Sequence, residues 1–204
     1  MQTLRKYLCV LGFAVLGLAG CKAHSAGSSQ VVVAAAAAGE IGSLLPAFEL
    51  RDLQGHDLSS ATLGGKVVLI DFWATWCQPC KKEMPGYQKL LDRYRSRGFV
   101  VIGFKFETMA DTEDPLKFAH RIGAHHPLAV APDELKQKFG GIEGLPTTML
   151  YDREGILRKK VVGFEYPEAL ESALKPLLST NYRVLAATAR VTPRLEFRGG
   201  RCCP

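Results

Sequence analysis

The stretch from Lys66 to Cys80 constrains the fold of this chain more than any other. Lys66 to Trp73 reads as an apolar run interrupted only by Asp71, the pattern of a central strand buried on both faces of a sheet. It passes through Ala74-Thr75-Trp76 into Cys77-Gln78-Pro79-Cys80, after which Met84, Tyr87, Leu90, Leu91 and Tyr94 recur at helical spacing. Two thiols three residues apart at the start of a helix can close one small disulfide ring. The first sulfur then sits where unpaired N–H groups and the helix dipole favour a thiolate. Such an arrangement suits thiol redox chemistry.

The flanking sequence builds an α/β domain around that strand. Pro46-Ala47-Phe48-Glu49-Leu50 and His56-Asp57-Leu58 read as a hairpin about Asp52-Leu53-Gln54-Gly55. Residues 78–97 are helical, with Pro85 expected to kink them, and Phe99 to Phe106 form a second strand. Asp114-Pro115 caps a helix ending near Gly123, Pro127 to Val130 is a short strand, and Asp133 to Phe139 a short helix. Thr147 to Tyr151 and Ile156 to Gly163 pair about Asp152-Arg153-Glu154-Gly155, and a last helix runs from Pro167 to about Leu178. Strands alternating with helices in this order require a mixed sheet covered on both faces.

Charge and cysteine usage narrow the class. The net charge of +6 comes from the ends: Arg5 and Lys6 without an acid at the start, and five arginines against Glu196 over residues 181–204. Residues 21–180 carry 19 basic and 19 acidic side chains, so no basic surface for nucleic acid is expected on the folded body. Residues 1–20 read as a signal peptide, with the Arg5-Lys6 pair before the apolar run Tyr7 to Ala19. That run ends in Leu18-Ala19-Gly20-Cys21, which resembles the bacterial lipoprotein cleavage box and implies a lipid anchor on Cys21. Lys22 lacks the acidic character often associated with inner-membrane retention, which leaves an outer-membrane destination open. Residues 21–40 are a low-complexity tether, 41–180 the folded domain, and 181–204 a basic tail without periodicity, expected to be disordered. With Cys9 in the signal and Cys21 on lipid, the body of the domain keeps one close pair, Cys77 and Cys80; Cys202 and Cys203 lie in the tail.

The run Val67 to Cys80, with its Asp-Phe-Trp-Ala-x-Trp-Cys-x-x-Cys, resembles a thioredoxin active site. Lys81-Lys82-Glu83-Met84-Pro85, the N-terminal hairpin and the αβ insertion resemble the TlpA/ResA branch of membrane-tethered extracytoplasmic thiol–disulfide oxidoreductases. The resemblance covers about residues 41–178. It implies a thioredoxin-like mixed sheet flanked by helices, with an N-terminal hairpin and a central αβ insertion.

Roles for individual residues follow from that resemblance. Cys77 is the candidate nucleophile and Cys80 the shielded thiol that resolves the mixed disulfide. Asp71, a carboxylate in an apolar strand, matches the acid that helps deprotonate the resolving cysteine. Glu83 either matches the groove glutamate of ResA-like proteins or is a solvated helix acid beside a lysine. Leu145-Pro146 resembles the cis-proline loop that presents backbone groups to substrate, with Trp76, Gln78 and Pro79 completing the contact surface. Trp73 is expected in the core, Gly163 to give backbone room, and Lys105 to approach Asp71 or Glu107.

The implied partners are protein thiols and disulfides, with a membrane thiol-transfer protein as electron donor, and no cofactor is implied. Reduction of apo-cytochrome c or other envelope thiols, on the periplasmic face of a bacterial envelope, is the expected activity. Two other classes fit the sequence less well. A peroxiredoxin usually has threonine three residues before its cysteine, where this chain has Ala74; a Sco-type copper chaperone uses CxxxC. Zinc would need two more ligands, and His120, His125 and His126 gain no cysteine or carboxylate to complete a metal set.

Overall fold

The computed structural model describes residues 36–108, 111 and 113–179. Residues 1–20 expected to be a signal peptide, most of the expected tether, Cys21 with its expected lipid, and the tail with Cys202 and Cys203 lie outside the described residues.

The chain begins with a hairpin, β1 (Glu49–Arg51) antiparallel to β2 (Asp57–Ser59), followed by a 3-10 turn over Ser60–Leu63 capped by the Ser59 hydroxyl. Five further strands make one sheet: β3 (Val67–Trp73), β4 (Phe99–Lys105), β5 (Leu128–Val130), β6 (Thr147–Tyr151) and β7 (Leu157–Val162), in the order β5-β4-β3-β6-β7. The first three run parallel, and β6 and β7 pair antiparallel to their neighbours. Helices α1 (Gln78–Tyr94), α2 (Pro115–Arg121), α3 (Asp133–Lys138) and α4 (Pro167–Leu177) complete the fold. This is the mixed α/β architecture with hairpin and αβ insertion that the sequence leads one to expect.

Every residue of β3 is buried, as its unbroken apolar run requires. Alternation along the strand sends Val68, Ile70 and Phe72 to one face, where they pack with Phe104, Met149 and Phe139 beneath the hairpin and α3. Val67 and Leu69 go to the other face, against Tyr87, Leu90 and Tyr94 of α1 and Leu170 and Leu174 of α4. By the same period Asp71 and Trp73 face α1, so the one acid of the strand is aimed at the helix that carries the cysteines.

Helix starts follow local chemistry. Pro115 stands at the head of α2 and the Asp114 carboxylate accepts from the Lys117 N–H at 2.8 Å, satisfying an orphan donor. The β6–β7 turn is organised by buried Asp152, whose carboxylate accepts the N–H groups of Glu154 (3.0 Å) and Ile156 (2.9 Å) and the Arg158 Nε–H (2.5 Å). A register shift at Leu150/Tyr151 and the isolated Leu44–Ile156 bridge have no counterpart in the sequence pattern.

Candidate active site

The site stands at the carboxyl ends of β3 and β4, where parallel strands of an α/β sheet commonly present ligand-binding loops. Trp73 ends β3, and four residues later Cys77 caps α1, its Sγ accepting the Cys80 N–H at 3.3 Å. Pro79 in the first helical turn forfeits an N–H that has no partner there in any case. Cys77 and Cys80 are joined by a disulfide with their Cα atoms 5.4 Å apart.

Cys77 is 3% exposed and Cys80 fully buried. Cys77, the expected nucleophile, is thus far less open than a surface thiol, because Trp73, Met84, Phe118 and Leu128 cluster with both cysteines and half-buried Leu145 lies against that cluster. Both cysteines are buried in the bridged form, and Cys77 is only marginally the more exposed. Trp76 is 45% exposed, and Gln78 and Pro79 are exposed beside it. The Leu145–Pro146 bond is cis, and the Pro146 carbonyl accepts the Gly163 N–H at 2.8 Å, fixing this loop to the end of β7.

Asp71 is fully buried, and neither carboxyl oxygen has a hydrogen-bond partner among the described residues. Burial, with the nearby Glu83 carboxylate, pushes its pKa well above the usual carboxylate range. Glu83 is buried too, which overturns its reading as a solvated acid paired with a lysine. Its position on α1 turns it inward, where Oε2 accepts the Glu165 N–H at 3.1 Å. Burial drives its pKa up to about 7, against the opposing effect of that N–H and of the Tyr87 hydroxyl. Tyr87 sits one helical turn after Glu83 and its hydroxyl meets Thr148 Oγ1 at 3.1 Å; Thr148 lies directly across the β3–β6 ladder from Asp71. Two carboxyls, a phenol and a hydroxyl are therefore buried together beneath the disulfide helix.

Lys105 pairs with Asp111, Nζ to Oδ2 2.8 Å, and not with Asp71 or Glu107. In the parallel register Asp71 is level with Gly103 and Lys105 with Trp73, so the lysine stands two residues beyond Asp71, at the mouth of the following loop. Gly163 is not required for room, since a Cβ there meets nothing within 4 Å; its backbone φ of +96° is what favours glycine. Gly103, beside Asp71's strand, does need space: a Cβ would lie 2.5 Å from Leu128 and 2.9 Å from the Trp73 indole nitrogen. Trp73 is in the core, stacked on Phe118 at 5.6 Å between centroids. His126 is buried while His120 and His125 contact each other at 5.1 Å between ring centroids, and no group of three or more metal-type ligands occurs among the described residues.

Tyr87, Thr148 and Glu165 belong to the cluster around Asp71 and Glu83 although no motif marks them. The four-residue step from Glu83 to Tyr87 is a legible helical pairing. Glu165, 82 positions from Glu83, has no local signal.

Known proteins share this fold. The sequence model of the AhpC/TSA family matches residues 41–160. The thiol-disulfide oxidoreductase ResA of Bacillus anthracis is 32% identical over 139 residues, which span 68% of this chain and 79% of that protein. ResA of Geobacillus kaustophilus is 32% identical over 67% of this chain and 78% of its own length. A thioredoxin-family thiol:disulfide interchange protein from Chlorobium tepidum superposes with a TM-score of 0.62 at 28% identity, covering 70% of this chain and all of that one. The chain belongs to the AhpC/TSA family, on the thioredoxin-like fold, and is a thiol–disulfide oxidoreductase.

Proposed function

We propose that this enzyme reduces protein disulfides outside the cytoplasm, held to a bacterial membrane by lipid on Cys21. The observation that carries the reading is the bridged Cys77–Cys80 pair at the head of α1, with the cis Leu145–Pro146 loop packed against it. In the dithiol state the Cys77 thiolate attacks one sulfur of a substrate disulfide; that S–S bond breaks and the other substrate sulfur leaves as a thiolate. The Cys80 thiol, deprotonated by Asp71, then attacks Cys77 of the mixed disulfide. The second substrate sulfur leaves and the Cys77–Cys80 bond closes, so two electrons pass to the substrate. Protonation of its sulfurs completes the conversion to a dithiol. A membrane thiol-transfer protein supplies the electrons that reopen the pair.

Asp71 is suited to its part because a buried carboxylate without hydrogen bonds is a strong proton acceptor when ionised. Glu83, one helical turn after Cys80 on α1, tunes the ionisation of the cysteines with a pKa close to neutrality. Trp76, Gln78, Pro79, Leu145 and Pro146 form the substrate surface, where a client segment lies extended beside the backbone at Leu145. Apo-cytochrome c is one client class of this kind.

The test is dithiothreitol-driven reduction of insulin by the purified enzyme, beside uptake of labelled palmitate by the full chain in bacteria. Catalysis lost in Cys77→Ser and label lost in Cys21→Ser are expected. A pair that stays bridged under every redox buffer tried overturns the catalytic reading, and an unlabelled parent chain overturns the anchor.

A further inference from the structure

The segment just before Cys77 is held by a polar hub that the steps above do not use. Lys105, the last residue of β4, is only 2% exposed. Its ammonium donates to Asp111 Oδ2 at 2.8 Å and to the Phe106 carbonyl at 3.2 Å. Asp111 accepts two further hydrogen bonds, from the Thr75 hydroxyl at 2.5 Å and the Thr108 N–H at 2.8 Å. Thr108 Oγ1 in turn accepts the Trp76 indole N–H at 2.9 Å. Burial alone would raise the Asp111 pKa, but the Lys105, Thr75 and Thr108 donors together hold it below the usual carboxylate range.

Thr75 and Trp76 are thus both fastened to the loop after β4, Thr75 directly and Trp76 through Thr108. The attachment has a firm base, because the Phe106 N–H continues the β3–β4 pairing by donating to the Trp73 carbonyl at 2.8 Å. A large, nearly half-exposed indole would otherwise sample several rotamers, and fixing one of them in advance spares that entropy when a partner docks. We infer that the Lys105–Asp111 pair is a positioning device that holds the Trp76 ring ready as a wall for an extended polypeptide beside Cys77, and so sets affinity for protein clients.

This inference rests on the reading that Trp76 belongs to the substrate surface. A small aromatic disulfide such as 5,5′-dithiobis(2-nitrobenzoate) needs only the sulfur and not the wall. The pair should therefore govern KM for polypeptides and leave small-disulfide turnover unchanged.

The experiment compares the parent enzyme with Asp111→Asn, Thr108→Val and Lys105→Met/Asp111→Asn, the last keeping the buried site free of an unpaired charge. Each is assayed with a disulfide-containing peptide and with the aromatic disulfide. The expected result is a rise in peptide KM of about fivefold, the equivalent of one hydrogen bond, with kcat and small-disulfide turnover preserved. With two tryptophans in the chain, amide-edited nitrogen–proton spectra contain two indole signals, and Trp76→Phe assigns them. Asp111→Asn should shift the Trp76 signal and hasten its exchange with water although Asp111 does not touch the indole. An unmoved indole signal, or an unchanged peptide KM in Thr108→Val, overturns the inference; equal losses on both substrates do so as well. A parent enzyme that turns over neither disulfide overturns instead the reading of the site on which it rests.

Discussion

Glu83 Oε2 accepts the backbone N–H of Glu165 at 3.1 Å, tying the second turn of α1 to the segment that leads from β7 into α4. The Glu165 carboxylate is held in turn by Lys159 Nζ at 2.5 Å. A carboxyl with a pKa near 7 is thereby fastened between the cysteine helix and the strand that supports the cis-proline loop.

That placement makes stability depend on pH in a defined sense. Glu83 titrates near 4.5 when unfolded and near 7 when folded, so the folded state holds the proton across this window and loses stability as pH rises through it. His126 acts oppositely: burial lowers its pKa to about 4, so the fold loses stability as pH falls below about 6.5. Glu83→Gln should remove the first dependence, gaining on the parent by up to about 3 kcal/mol between pH 4.5 and 7. Urea unfolding at half-unit pH steps measures this; a constant difference between variant and parent contradicts it.

Asp71→Asn should stabilise and slow the enzyme together. The parent pays increasingly for ionising a buried, unbonded acid as pH rises above the ordinary carboxylate range, a cost the amide does not incur. Losing the proton acceptor should slow closure of the Cys77–Cys80 bond by about 100-fold. Stopped-flow release of thiol from a preformed mixed disulfide reports that step, and an undiminished rate would remove Asp71 from the proton path.

The placement of Cys77 at the N-cap of α1 and of Cys80 within its first turn predicts which sulfur is captured. Cys80→Ala should accumulate a mixed disulfide between Cys77 and a client, whereas Cys77→Ala should accumulate none. Mass spectrometry of non-reduced adducts distinguishes them; the reverse pattern exchanges the two roles.

Gly163→Ala should destabilise the fold by about 1–2 kcal/mol through its φ of +96°, with no clash to blame. Because the Gly163 N–H donates to the Pro146 carbonyl, KM for peptides should rise as well. Chemical unfolding and steady-state kinetics on one preparation test both effects.

Much of this was legible in the sequence because local rules dominate there. The unbroken apolar run of β3, the proline starts of α2 and α4 and the turn at Asp152 each signal themselves within a few residues. The cysteine pair and the Leu145-Pro146 loop carry motifs. What stayed hidden depends on which face a long-range neighbour occupies. Glu83 reads as equally suited to water or to a groove until Glu165 is placed against it. Lys105 sits between Phe104 and Phe106, and its partner is decided by a parallel register that no short window contains.

Because β3 occupies the middle of the five-stranded sheet, with β4 and β5 on one side and β6 and β7 on the other, the reactive loop is rooted in the segment least able to open by itself. Its amides should exchange with deuterium only when the whole domain unfolds, in both the bridged and the dithiol form. Electron traffic can then be confined to the tip of α1, and the scaffold need not be rebuilt with each turnover.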